Sequence, residues 1–164
     1  MRDRKIQIKR SSVVGFCMGV KRAYDSATKA RKEYYASNVY TLGHLIHNPF
    51  TVKKMEDMGI IALSQEDLDK EVIKENDVVI IRAHGVPPCI MEKLEQKKVI
   101  IIDLTCPRVV ANRRLAQKCA KKGCVLLAGD KNHPELIGIQ GYVLKIHQAK
   151  CFIIQNVKEA QEIK

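Results

Sequence analysis

The strongest constraint on this chain is a series of short apolar runs separated by segments of helical period. Val39–Leu42, Ile60–Leu63 and Cys151–Ile154, with residues 78–82, 99–103 and 124–128, are each apolar over most consecutive positions. A strand apolar on both sides must be covered on both sides. The intervening segments carry helix signals. Pro49, Pro87 and Pro107 stand at first turns, and Gly123 closes the segment 107–122. The pattern predicts helices over 20–35, 49–58 and 87–96, and shorter helices over 67–73, 134–141 and 157–163. Further strands are expected at 5–8 and 143–146, with a turn over 15–19. The fold class that follows is α/β, with parallel sheets and helices on both faces. Sites in such sheets form at the carboxyl ends of the strands.

Charge narrows the partners. Lys and Arg number 29 against 18 Asp and Glu, a net charge of +11, and +7 of it falls in residues 1–35. A basic face attracts phosphates on nucleic acid, on a membrane surface or on a small diphosphate. With no Trp and three Phe, the chain lacks the aromatic interleaving that stacks bases, which argues against nucleic acid. No apolar run approaches the roughly 18–20 residues that span a bilayer, and no apolar signal region follows the basic start. A soluble cytoplasmic protein with no membrane partner is the expectation.

Six cysteines occur, with no CxxC pair, which argues against a zinc ribbon or a thioredoxin-type site. They are buried fillers, metal or cluster ligands, or nucleophiles, and position separates these. Cys89, Cys119, Cys124 and Cys151 fall inside expected helices or at strand starts and read as small buried hydrophobes. Cys17, flanked by Gly15 and Gly19, and Cys106, followed by Pro107, sit at expected helix starts. Backbone N–H groups and the helix dipole favour a thiolate there. His44 and His47 follow one strand, His84 another, and His133 with Glu135 a third. Successive strand ends thus offer thiols, imidazoles and a carboxyl along one edge. Thiolates in that setting suit iron or an iron–sulfur cluster, imidazoles and turn amides suit an anion with two phosphates, and Glu135 could relay a proton.

Five motifs then carry a family resemblance: Gly-Phe-Cys-Met-Gly-Val-Lys-Arg-Ala (15–23), Leu-Ile-His-Asn-Pro (45–49), Ala-His-Gly-Val (83–86), Asp-Leu-Thr-Cys-Pro (103–107) and His-Pro-Glu (133–135). In order and spacing they resemble the LytB-type 4-hydroxy-3-methylbut-2-enyl diphosphate reductases of non-mevalonate isoprenoid biosynthesis. The resemblance implies a 4Fe–4S cluster in a cavity between three similar α/β lobes. It implies that Cys17 and Cys106 are two of three cysteine ligands, that His47, His84 and His133 bind the substrate, and that Glu135 is the catalytic acid. The implied reaction is a reductive dehydroxylation giving isopentenyl and dimethylallyl diphosphates, with ferredoxin or flavodoxin as electron donor.

The resemblance also implies that the third cluster cysteine lies beyond the point matching Lys164. The expectation is therefore one complete lobe over residues 1–106 and part of a second over 107–164. On that view the chain is a truncated or partial form, and a missing C-terminal half is a further partner. Two other readings stand beside it. One is an inactive fragment or binding module for diphosphate or nucleic acid. The other is a mononuclear metal protein using Cys17, Cys106 and one His.

Overall fold

The structure is a computed structural model that describes residues 7–12, 14–70 and 72–163. Four strands, β1 (Val39–Leu42), β2 (Ile60–Leu63), β3 (Val78–Ile81) and β4 (Ile100–Asp103), pair in parallel in the order β2-β1-β3-β4. Two more, β5 (Val125–Ala128) and β6 (Cys151–Ile154), form a separate parallel pair. Helix α1 (Met18–Glu33) precedes β1, α2 (Pro49–Asp57) joins β1 to β2, and α3 (Pro88–Gln96) joins β3 to β4. Helix α4 (Pro107–Ala120) leads from the first sheet to the second, α5 (Pro134–Leu144) joins β5 to β6, and α6 (Val157–Glu162) follows.

Strand alternation divides the apolar residues between two layers. Val39, Ile60, Val78 and Ile80 pack against Ala23, Ala27 and Ala30 of α1 and Met55 of α2. Alanines at helical spacing let α1 lie close to the sheet. Tyr40, Leu42, Leu63, Val79 and Ile81 face the other way, onto Leu68, Ile73 and the α3 residues Ile90 and Leu94. A smaller core holds Ala116, Ala120, Val125, Ile139, Val143 and Cys151. The guanidinium of Arg113 lies 4.2 Å from the ring centroid of Tyr142, tying α4 to α5.

One buried carboxylate sets the start of the central strand pair. Asp77 is 5% exposed and accepts from Asn38 N (3.3 Å), Asn38 Nδ2 (3.0 Å) and Lys74 N (2.9 Å). It fixes the register in which Val39 meets Val78. The chain then runs outward from β1 to β2 and returns across β1 to β3. That reversal opens a crevice at the carboxyl ends of β1 and β3.

Four expectations are corrected. Of the strand expected at 5–8, residues 7 and 8 lie outside any strand, while 5 and 6 fall outside the described residues. Cys17 therefore follows no described strand. The helix expected at 67–73 shrinks to a 3-10 turn at Glu66–Asp69, because Asp67 Oδ2 accepts from Ser64 N (2.9 Å) and Ser64 Oγ (2.8 Å) and tightens the turn. The strand expected at 143–146 does not form. Ile139 and Val143, one turn apart on α5, bury the same helix face and carry α5 through to Leu144. Finally, Cys89, Cys119 and Cys124 are exposed, so the buried-filler reading holds for Cys151 alone.

Replacing Asp77 with Ala leaves two backbone amides and one side-chain amide without their acceptor. Stability should fall by about 1–3 kcal/mol, read from the shift in the urea unfolding midpoint at unchanged slope.

Candidate functional site

Each site residue is placed by a local device. Cys17 caps α1 and Cys106 caps α4, both with extended backbone and neither with a side-chain capping bond. Their thiols thus sit beside first-turn N–H groups that have no capping partner in the side chain. Arg22, one turn into α1, donates to Leu104 O (3.4 Å) and Thr105 O (3.2 Å). It holds the start of α1 against the loop that ends in Cys106. The amide of Cys106 donates to Ala83 O (2.9 Å), so this cysteine is also bound to the turn that carries His84.

That turn is made by Gly85, whose φ of +72° suits glycine and whose missing side chain leaves room for Thr105 at 3.2 Å. Thr105 is itself held by Asp103, which accepts from its amide (2.8 Å) and its hydroxyl. His84 is half-buried, and its Nδ1 is shut off from solvent without a hydrogen-bond partner. Burial pushes the His84 pKa below the ordinary imidazole value. The positive charges of Arg82 and His133 add to that depression, His47 adds less, and Glu135 opposes it. Four charged or ionisable side chains therefore lie within electrostatic reach of His84.

The second core supplies two of them. His133 caps α5, with Nδ1 accepting from Glu135 N at 3.3 Å, so a neutral ring carries its proton on Nε2. The His133 and His84 rings meet edge to face with centroids 5.5 Å apart. Glu135 Oε1 accepts from Asn112 Nδ2 (3.4 Å), which ties the acid to α4. His47 is exposed on the loop before α2, next to Asn48, whose side chain caps that helix through Thr51 N (3.0 Å).

A close backbone approach holds these parts together. A Cβ on Gly141 would meet Pro87 Cβ at 2.9 Å and Pro88 Cδ at 3.1 Å, and Gly138 faces the backbone of Val86. Lys145 and Glu92 form an ion pair across the same contact between α5 and α3.

The structure thus brings His47, His84, His133 and Glu135 into one neighbourhood. It also sets the two capping thiols at helix starts joined through Arg22. The donors do not by themselves make a cluster site. Among the described residues, no group of three or more His, Cys, Asp and Glu side chains is placed to hold a metal ion. The same finding leaves the mononuclear reading with Cys17, Cys106 and one His unsupported. Reading by motif missed Arg22, Arg82, Asn112 and Asp103. Arg22 and Asp103 lie inside motifs, and Arg82 immediately precedes one, but only their contacts reveal what they do.

Fold and site define an α/β protein that gathers imidazoles and a carboxyl where parallel strands end, with thiols capping two helices. The chain belongs to the LytB protein family, whose model matches residues 8–164. It is 43% identical over 93% of its length to the 4-hydroxy-3-methylbut-2-enyl diphosphate reductase of Treponema denticola, covering 52% of that protein. It is 41% identical over 91% of its length to the enzyme of the same name from Caldanaerobacter subterraneus subsp. tengcongensis, covering 50%. A solved structure of (E)-4-hydroxy-3-methyl-but-2-enyl diphosphate reductase, the terminal enzyme of the non-mevalonate pathway, superposes with a TM-score of 0.79 at 40% identity. The match spans 90% of this chain and 50% of that one. The reductase from Plasmodium falciparum also superposes at 0.79, with 32% identity, over 92% of this chain and 45% of that one. The chain spans about half the length of these relatives.

Two outcomes follow. In an NMR pH titration His84 should titrate below the ordinary value of about 6.5. Its contribution to stability falls as pH drops from that value toward the depressed one, because the unfolded chain takes the proton first. His84→Gln should flatten that part of the stability profile. Gly141→Ala should push α5 off Pro87, cost about 1–3 kcal/mol and abolish cross-relaxation between the His84 and His133 rings.

Proposed function

We propose that this chain provides the diphosphate-binding and acid-bearing part of a 4-hydroxy-3-methylbut-2-enyl diphosphate reductase. The observation that carries the reading is the meeting of His84 with His133, with Glu135 beside them, from opposite ends of α5's contact with Pro87.

In this reading His47, His84 and His133 hold the diphosphate. A neutral, half-buried His84 meets it as an N–H donor through Nε2, since Nδ1 is enclosed. Imidazoles that share charge with Arg82 gain most from a bound anion, because the anion relieves their mutual repulsion. Glu135 supplies a proton to the hydroxyl group. The C–O bond of the allylic alcohol breaks and the oxygen leaves as water. Two electrons and a second proton complete isopentenyl or dimethylallyl diphosphate, so the overall change consumes two electrons and two protons. Hydroxide leaves poorly, and that is why an acid at this point matters.

Cys17 and Cys106 are read as two thiolate ligands of a 4Fe–4S cluster, with the third thiolate supplied from outside residues 1–164. Residues 1–106 and 107–164 are read as one α/β lobe and part of a second. Ferredoxin or flavodoxin as electron donor and a cytoplasmic setting belong to the same proposal. Among the described residues, no helix is long and apolar enough to cross a membrane.

The test pairs this chain with the C-terminal half of the Treponema denticola relative under anaerobic reconstitution, with a chemical reductant and the diphosphate substrate. Formation of isopentenyl and dimethylallyl diphosphates by the pair, reduced about 10²–10⁴-fold by Glu135→Gln, is expected. A pair that binds substrate and carries a cluster, yet turns over equally well with Glu135→Gln, would remove Glu135 from the proposal. No turnover by such a pair would remove the reductase reading.

A further inference from the structure

A cavity of ≈290 Å³ lies beside the imidazole group at the crevice where the strand order reverses, and the reductase reading gives it no role. Its floor is apolar, formed by Leu42, Leu63 and Ile137 among others, and its polar lining includes Arg82, Gln65 and Asn132. Arg82 is half-buried, and burial lowers its pKa. Among the described residues, no hydrogen bond or ion pair engages its guanidinium. It packs beside Gly43, where a Cβ would stand 2.8 Å from Arg82 Nη1. Gly43, at φ +72°, thus leaves a slot for the guanidinium at the end of β1.

A partly desolvated guanidinium without an acceptor is a costly group to maintain, and it is the side chain best shaped to grip an oxyanion with two parallel N–H bonds. Gln65 and Asn132 also line the cavity.

We propose that this cavity is a second ligand site, distinct from the imidazole site, that binds a phosphate monoester with a short hydrocarbon tail. Arg82 takes the phosphate, the two amides complete its shell, and the floor of Leu42, Leu63 and Ile137 takes the tail. The proposal does not depend on the reductase reading.

The test titrates the full chain with butyl phosphate, inorganic phosphate and butyrate, following backbone amide shifts. Butyl phosphate should saturate, tighter than inorganic phosphate by several-fold for its buried methylenes, and butyrate should be weakest. The shifts should centre on Gly43, Gly85 and Asn132. Arg82→Gln should weaken binding by about tenfold or more, and Arg82→Lys by less, with both checked for unchanged melting. Ile137→Ser should remove the advantage of butyl over inorganic phosphate. His47→Ala should leave affinity within about twofold.

An Arg82→Gln chain that binds like the parent would overturn the proposal. So would equal affinity for butyl and inorganic phosphate in the parent, or loss of binding in His47→Ala with shifts centred on the imidazoles.

Discussion

The site depends on two backbones coming closer than side chains allow. Helix α5 crosses the Pro87–Pro88 corner on the face marked by Gly138 and Gly141. That crossing joins the α3 side of the first sheet to the core that buries Ile139 and Val143. His133 and Glu135 open the same helix and so arrive over His84. The contact is rigid on both sides: the proline rings fix one surface, and absent side chains fix the other. The Lys145–Glu92 ion pair is exposed at both partners and adds little beside that packing.

Around His84, positive groups outnumber negative ones. Arg82, His133 and His47 each act on His84, and among the described residues Glu135 is the acid that opposes them. Such a cluster is held by covalent and packing constraints rather than by its own electrostatics, which oppose it. A bound anion reverses the sign of that opposition. The capping thiols follow a related logic, since each sits where a helix start favours negative charge. In this way both kinds of site group are paired with an environment that waits for an opposite charge.

Much of this was legible in the sequence. The strands with continuous apolar runs appear where expected, because burial on both faces leaves a pattern no polar neighbour interrupts. Pro49 and Pro107 mark the first turns of α2 and α4 as expected, whereas Pro87 caps α3 and Pro88 opens it. His84, Cys106 and His133 drew notice in the sequence because each follows an expected strand and adjoins glycine or proline. What escaped depended on contacts distant in sequence. The helix expected over 134–141 runs on to Leu144, with Gly138 and Gly141 inside it for close approach, and the strand expected at 143–146 is absent. Nothing in the sequence pattern marks Asp77, whose role depends on Asn38, 39 residues earlier. The exposed Cys89, Cys119 and Cys124 escaped because residue type predicts average burial, whereas a helix face decides the individual case.

The two sheets differ in how firmly they hold their share of the site. Val78, Val79 and Ile80 of β3 are wholly enclosed, with strands on either side. The β5–β6 pair has no third strand among the described residues, and Leu126 and Phe152 are about half exposed. Amide exchange with deuterium should therefore proceed in two tiers, with β5, β6 and α5 opening well before β3. His84 is anchored to the slow tier, while His133 and Glu135 ride on the fast one. Transient opening of the outer tier lifts the acid from the imidazole while the inner sheet stays folded.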